Sequence, residues 1–352
     1  MDYLYNPDLS QAQTIPSTWY HGADSLKRDF EKVFYRSWSL VGRSDQVAQP
    51  GDYLATRIGQ ENLVIARDMS GTLRGFFNVC RHRAGPIAVG AGNSRSLRCQ
   101  YHSWTYALDG ALMSVPEFQG VQNFDLKNCK LPQVQVRVWG PLVFAAIDPV
   151  MSFEEFLGTA PEDLKTCHLE GMKFFSTKDY VVNANWKVYV DNYLEGYHLP
   201  SVHPDLCKEL DYKNYRVDTF RWYSTQDAPP RETAQLYAGG DRPGAYYYWM
   251  FPNLMFNIYQ GMLQTNVVIP IAADQTIVRF DWYVRSDLEK EVAGKLPGLM
   301  QFSDQVQEED KSICEQVFQN LASRSYSQGR FSVKRENGVH HFHGLLAEMI
   351  GK

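Results

Sequence analysis

Two periods of apolar and polar residues run along this chain, and the change between them marks its organisation. Between residues 25 and 34 the apolar positions Leu26, Phe30 and Phe34 recur four apart, which predicts an amphipathic helix in an N-terminal segment, 1–37, that packs on the last domain. From 38 to 148 the text turns to short extended runs such as 61–67, 133–139 and 142–147, with turns roughly every eight to twelve residues. That rhythm predicts a small antiparallel β domain. After Asp148-Pro149 the pattern is mixed over 149–352: helices are expected at 152–157, 185–198 and 302–322, and strands at 246–250, 253–259, 265–269 and 276–284. The expectation is an α+β chain of two domains, reasonable for 352 residues.

Composition narrows the function. A hydrophobic share of 44% with 21% charged residues is that of a globular protein, not a disordered one. A net charge of −5 and the lack of any long Lys/Arg run argue against a nucleic-acid partner. No apolar stretch approaches the roughly eighteen residues of a membrane span, and the N-terminus does not read as a signal peptide. Cys129, Cys167, Cys207 and Cys314 are too scattered for a disulfide framework, so a reducing, cytoplasmic setting is expected. The aromatic share of 14% favours an aromatic-lined pocket.

The chemistry concentrates in Cys80-Arg81-His82 and Cys99-Gln100-Tyr101-His102, two Cys-His pairs with sixteen residues between them. Zinc accepts such donors, but a zinc finger places both cysteines first and both histidines on a helix. One Cys and one His from each of two loops is the pattern of a Rieske [2Fe–2S] centre, with thiolates on one iron and imidazoles on the other. Residues 75–79 read as a strand entering the first loop, Gly85-Pro86 stops that loop, and Asp109-Gly110 is a hairpin turn after the second. Arg81, Arg83 and Gln100 beside the motif are candidates for tuning the cluster or docking a reductase.

A second metal site is expected in 185–204. Trp186, Val190, Tyr193, Leu194 and Tyr197 fall on one face of the predicted helix, and Asp191, Glu195 and His198 on another. Pro200 is expected to end the helix near Leu199, so that the chain bends back and brings His203 to His198. Two histidines beside carboxylates suggest the facial triad of a non-haem Fe(II) oxygenase.

With His82, His102, His198 and His203 in this order, the chain resembles the oxygenase (α) subunit of the Rieske non-haem iron oxygenases along essentially its whole length. The resemblance implies an N-terminal antiparallel β Rieske domain, a helix-grip catalytic domain with an antiparallel sheet, and a homotrimer in which each cluster serves the next subunit's iron. It implies a third iron ligand far downstream, Asp310 with Glu309 as the fallback. It also implies that Glu195, where most members carry Asp, links the two metal sites; Asp191 is a weaker candidate for supporting His198 or His203.

The run 245–259 is dense in aromatic residues, and Tyr193, Tyr197, Tyr247, Trp249, Phe251 and Tyr259 are the expected substrate contacts. Aromatic faces suit a quaternary ammonium. Residues 251–259 and 265–270, with Phe331, Glu336 and His341-Phe342-His343, are similar to the choline monooxygenase, glycine betaine demethylase and carnitine oxygenase group. The expected reaction is hydroxylation of such a substrate with O2, followed by N-demethylation or C–N cleavage where the carbon adjoins nitrogen. A separate flavin/ferredoxin-type reductase would supply electrons, since the chain has no dinucleotide fingerprint. The alternatives are an aromatic or aromatic-carboxylate oxygenase, with Arg279 as the carboxylate partner, a Rieske electron carrier, and a zinc module.

Overall fold

The computed structural model describes residues 3–234, 244–259 and 261–351. The chain forms two units, Phe34–Val150 and the remainder on either side of it.

In the smaller unit a seven-stranded antiparallel sheet runs in the order Ser39–Arg43, Leu142–Ala146, Gln133–Trp139, Leu73–Phe77, Glu61–Arg67, Asp52–Ile58 and Ala91–Asn93. A three-stranded sheet, Ser96–Arg98, Thr105–Ala107 and Leu112–Ser114, completes it. Val64, Phe76, Leu97, Trp104 and Tyr106 form a core that reaches Cys80 and Cys99. The Asp109-Gly110 turn closes a hairpin in which Gly110 has φ 89°, and a Cβ there would come within 2.5 Å of the Phe76 ring. Only glycine satisfies both demands.

The larger unit is built on a second seven-stranded antiparallel sheet. Its order is Met172–Val182, Gln275–Arg285, Met262–Ala272, Leu254–Tyr259, Ala245–Met250, Tyr223–Ala228 and Arg216–Thr219. The four strands predicted here exist, and the third is much longer than 265–269. Three were not predicted. Met172–Val182 has exposed Lys173, Thr177, Lys178 and Asp179 on a sheet edge, and charged edge strands lack the alternation that announces a strand.

Three helices matter for the site: α1 (Trp186–Tyr193), α2 (Leu296–Leu321) and α3 (Asn337–Gly351). The predicted 302–322 helix starts earlier because Pro297 sits in its first turn, where the missing N–H costs nothing. Leu296 and Leu299 bury its first turns against Met262, Trp282 and Val284.

The N-terminal segment belongs to this unit. Its predicted helix spans Ala23–Asp29 and widens into a π-helical turn at Phe30–Phe34. Asp29 accepts hydrogen bonds from Trp186 Nε1 at 2.9 Å and from Lys187 Nζ, and the Asp29 and Lys187 side chains are fully enclosed. Ile15 N donates to His343 Nδ1 at 3.2 Å and Thr14 N to the Gly329 carbonyl at 3.1 Å, so both ends of the chain are tied together. No helix among the described residues is long and apolar enough to cross a membrane.

Candidate metal centres and substrate cavity

The two Cys-His loops share one backbone design. In each, the N–H of the fourth residue after the cysteine donates to the cysteine carbonyl, Ala84 to Cys80 and Ser103 to Cys99, both at 3.0 Å. Both of those residues are left-handed, with φ 57° and 60°. The bends bring His82 and His102 within 4.7 Å, ring centre to ring centre, and place the Cys80 and Cys99 thiols within interaction range. His82 Nδ1 is buried with no hydrogen-bond partner, an orphaned donor atom that a cluster iron would occupy. Gly85 leaves room: a Cβ there would approach Cys99 Sγ to 2.8 Å. The Tyr106 hydroxyl lies 3.3 Å from Cys80 Sγ and accepts from Arg81 N at 2.9 Å. Arg81, Arg83 and Gln100 are exposed, and Arg83 stacks over Tyr101.

The second site grows from α1. Asn185 caps it, accepting from Lys187 N at 3.1 Å and donating to the Ala273 carbonyl at 2.9 Å. Contrary to the sequence reading, α1 stops at Tyr193, well before Pro200. Glu195 turns back on the chain, its carboxylate accepting from Tyr197 N and from His198 N, and Pro200 lies in the first turn of a new short helix, Leu199–Val202. The break places Tyr197 outside: it is 54% exposed and does not line the cavity.

His198 and His203 end with rings 5.1 Å apart, and with Asp310 they offer ligand atoms all within 4.8 Å of one another. Each imidazole is held by its own carboxylate. His198 Nδ1 lies 2.7 Å from Glu195 Oε1, and His203 Nδ1 lies 2.6 Å from Glu309 Oε2. The opposite nitrogens face Asp310 Oδ1, at 3.7 Å from His198 Nε2 and 2.9 Å from His203 Nε2. A carboxylate on Nδ1 fixes the tautomer and leaves Nε2 as the donor to a metal. Asp310 faces the point shared by the two histidines, and Glu309 faces the outer edge of His203. Burial lowers the His203 pKa, but Asp310 and Glu309 outweigh it and the net shift is upward. Asn192 Nδ2 donates to Asp310 Oδ1 at 2.6 Å.

A cavity opens on this triad. Tyr193, Tyr247 and Tyr259, expected as substrate contacts, line it with Tyr189, Tyr215, Phe280 and Phe302. Trp249 and Phe251 do not. Trp249 shares Tyr247's face of the strand, but lies against Phe342 of α3, ring centres 5.3 Å apart. Phe251 lies past the strand end and packs on Trp222. Asp191 touches neither His198 nor His203: its carboxylate bonds Tyr20 OH at 2.6 Å and His343 Nε2 at 2.9 Å. Arg279 forms a two-point pair with Asp179 at 2.8 and 2.7 Å and is not a lining residue. Sequence reasoning missed Asn192, Asn266 and Gln307. Gln307 alone had a signal, one helical turn before Asp310 on the same stripe.

Residues 169–352 match the family described as ring hydroxylating alpha subunit (catalytic domain), and residues 37–125 the Rieske [2Fe-2S] domain. The chain belongs to the Rieske ring-hydroxylating oxygenase alpha subunits. A Rieske oxygenase alpha subunit is an oxidoreductase that carries a [2Fe–2S] cluster and a mononuclear iron, and the donor sets described above fit both. The chain is 34% identical to the chloroplastic choline monooxygenase of Arabidopsis thaliana, over 96% of this chain and 83% of that one. It is 30% identical to the carnitine monooxygenase oxygenase subunit of Escherichia coli, covering 99% and 96% of the two chains. The structure of a quaternary ammonium Rieske monooxygenase superposes with a TM-score of 0.87 at 28% identity, over 97% of this chain and 96% of that one.

Proposed function

We propose that this Rieske oxygenase subunit hydroxylates a quaternary ammonium compound, at a C–H bond beside the nitrogen or elsewhere on the molecule. The observation that carries the reading is the tyrosine-rich cavity beside the His198, His203 and Asp310 triad, with no Lys or Arg among its described lining residues. A quaternary nitrogen has no N–H to donate, and its diffuse charge is best met by aromatic faces. Burial raises the pKa of Tyr193 and of Tyr215, so the phenols stay neutral and serve as faces and dipoles.

In this reading Cys80, His82, Cys99 and His102 hold the cluster, and His198, His203 and Asp310 hold the iron. When bound, the two centres supply single-electron transfer and O2 activation. Glu195 and Glu309 keep each Nδ1–H engaged, so both Nε2 lone pairs point to the triad, and Asn192 steadies Asp310. Glu195 is the proposed bridge between a cluster and an iron of neighbouring subunits in a homotrimer. A separate flavin/ferredoxin-type reductase provides the electrons.

The test is iron content and the absorption spectrum of anaerobically purified protein beside His198→Ala. About three irons per chain, falling by one in the variant with its colour kept, supports cluster plus mononuclear iron. Two irons in both proteins would leave an electron carrier and sink the proposal.

A further inference from the structure

We infer that Asn266 and Gln307 form a subsite for the substrate's tail, one that takes a neutral hydroxyl and turns away a carboxylate. The inference rests on the cavity being an onium site, and it separates onium compounds that share the same head.

The amide side chains lining the cavity are not equivalent. Gln226 is engaged at both ends, by Tyr215 OH and, at 2.6 Å, by the Tyr193 carbonyl. Asn257 accepts from Tyr193 OH at 2.7 Å and donates to Gln264 at 3.4 Å. Gln307 accepts from Tyr189 OH at 2.5 Å, which fixes its orientation and leaves Nε2 without a partner. Asn266 Oδ1 likewise has none. Both residues are at least nine-tenths buried, at 1% and 2% exposure, and both line the cavity. One unpartnered donor and one unpartnered acceptor remain among lining residues whose buried polar atoms are otherwise matched.

A hydroxyl satisfies both: its oxygen accepts from Gln307 Nε2, and its proton goes to Asn266 Oδ1. A carboxylate only accepts, so it sets a negative oxygen against Asn266 Oδ1. The carboxylates that line the cavity, Glu195 and Asp310, repel it further, and no Lys or Arg among the described lining residues offsets them. A methyl tail leaves both amide atoms bare, the situation in which sites built for a hydroxyl discriminate.

The test compares three trimethylammonium ions bearing 2-hydroxyethyl, ethyl or carboxymethyl tails, together with uncharged 3,3-dimethylbutan-1-ol, by calorimetric binding to the full-length iron-loaded protein. The hydroxyethyl ion should bind about tenfold tighter than the ethyl ion, and the carboxymethyl ion weakest of the three. In Gln307→Leu the hydroxyethyl-to-ethyl ratio should fall towards one while the ethyl ion still binds; a merely structural role would weaken all ligands alike. Equal binding of the hydroxyethyl and ethyl ions by the wild type, or carboxymethyl binding as tight as hydroxyethyl, overturns the subsite. If the variant does not fold, the wild-type ranking decides alone. Dimethylbutanol binding as tightly as the hydroxyethyl ion would instead bring down the onium reading, and the subsite with it.

Discussion

Glu309 shows how much the direction of one carboxylate decides. It is adjacent to Asp310, yet it meets the outer nitrogen of His203 while Asp310 meets the inner one. Glu309→Gln should weaken iron binding roughly tenfold to a hundredfold and leave the cluster spectrum unchanged, read as iron retained after dialysis against a chelator. Unchanged retention would remove Glu309 from the site. His341 carries a different kind of prediction. Its Nε2 is enclosed without a partner, and burial, with His340 and Arg221 adding to it, lowers its pKa from 6.5 to about 4. The unfolded chain therefore binds the proton more readily. His341's contribution is intact above pH 6.5 and is lost as the pH falls towards 4, a change of no more than about 3 kcal/mol. Urea midpoints should fall less in His341→Leu than in the wild type between pH 7 and 4.5; parallel losses would contradict this. At this scale the ligand types were readable because few chemistries use Cys and His at such spacing. Trp249 and Phe251 were misread because alternation tells which face of a strand a ring takes, not which helix covers that stretch of the face.

Among elements, the join between Ala23–Asp29 and α1 is made by a fully enclosed ion pair. Burial lowers the pKa of Lys187, and Asp29 opposes that shift. Asp29→Ala leaves an ammonium with no counter-charge and should cost about 3–5 kcal/mol in urea unfolding. Asp29→Leu combined with Lys187→Met should recover much of that loss, because neither charge is then stranded. A double variant as unstable as the single one would show that the pair is worth more than apolar packing. Most elements were legible from their period. The split of 185–198 was not, since it depends on Glu195 capturing the N–H groups of Tyr197 and His198 and on Gly196, where a Cβ would come within 2.9 Å of Leu199 and Tyr215. A side chain folding back on its own backbone competes with helix in a way no periodicity records.

Across the whole molecule, the two-unit plan follows from the change of period at about Asp148-Pro149, because each pattern buries its own core. Every described residue lining the cavity belongs to the larger unit, and all four Cys-His donors to the smaller. Cys80→Ser should therefore abolish the visible spectrum while leaving onium binding within about twofold of wild type, measured by calorimetry. Coupled loss of both would mean that the cavity needs the cluster unit to form. The ties of Thr14 to Gly329 and of Ile15 to His343 carry a consequence for synthesis. Ile15 and His343 are 328 positions apart. At roughly 5–20 residues per second, the segment before Val33 waits on the order of twenty seconds to a minute on the ribosome before its partner in α3 is made. Phe34–Val150 is complete long before that, so the cluster unit can fold and take up iron and sulfide while the oxygenating half is still open at its seam. Nascent chains would then acquire their electron relay before they can close around a substrate.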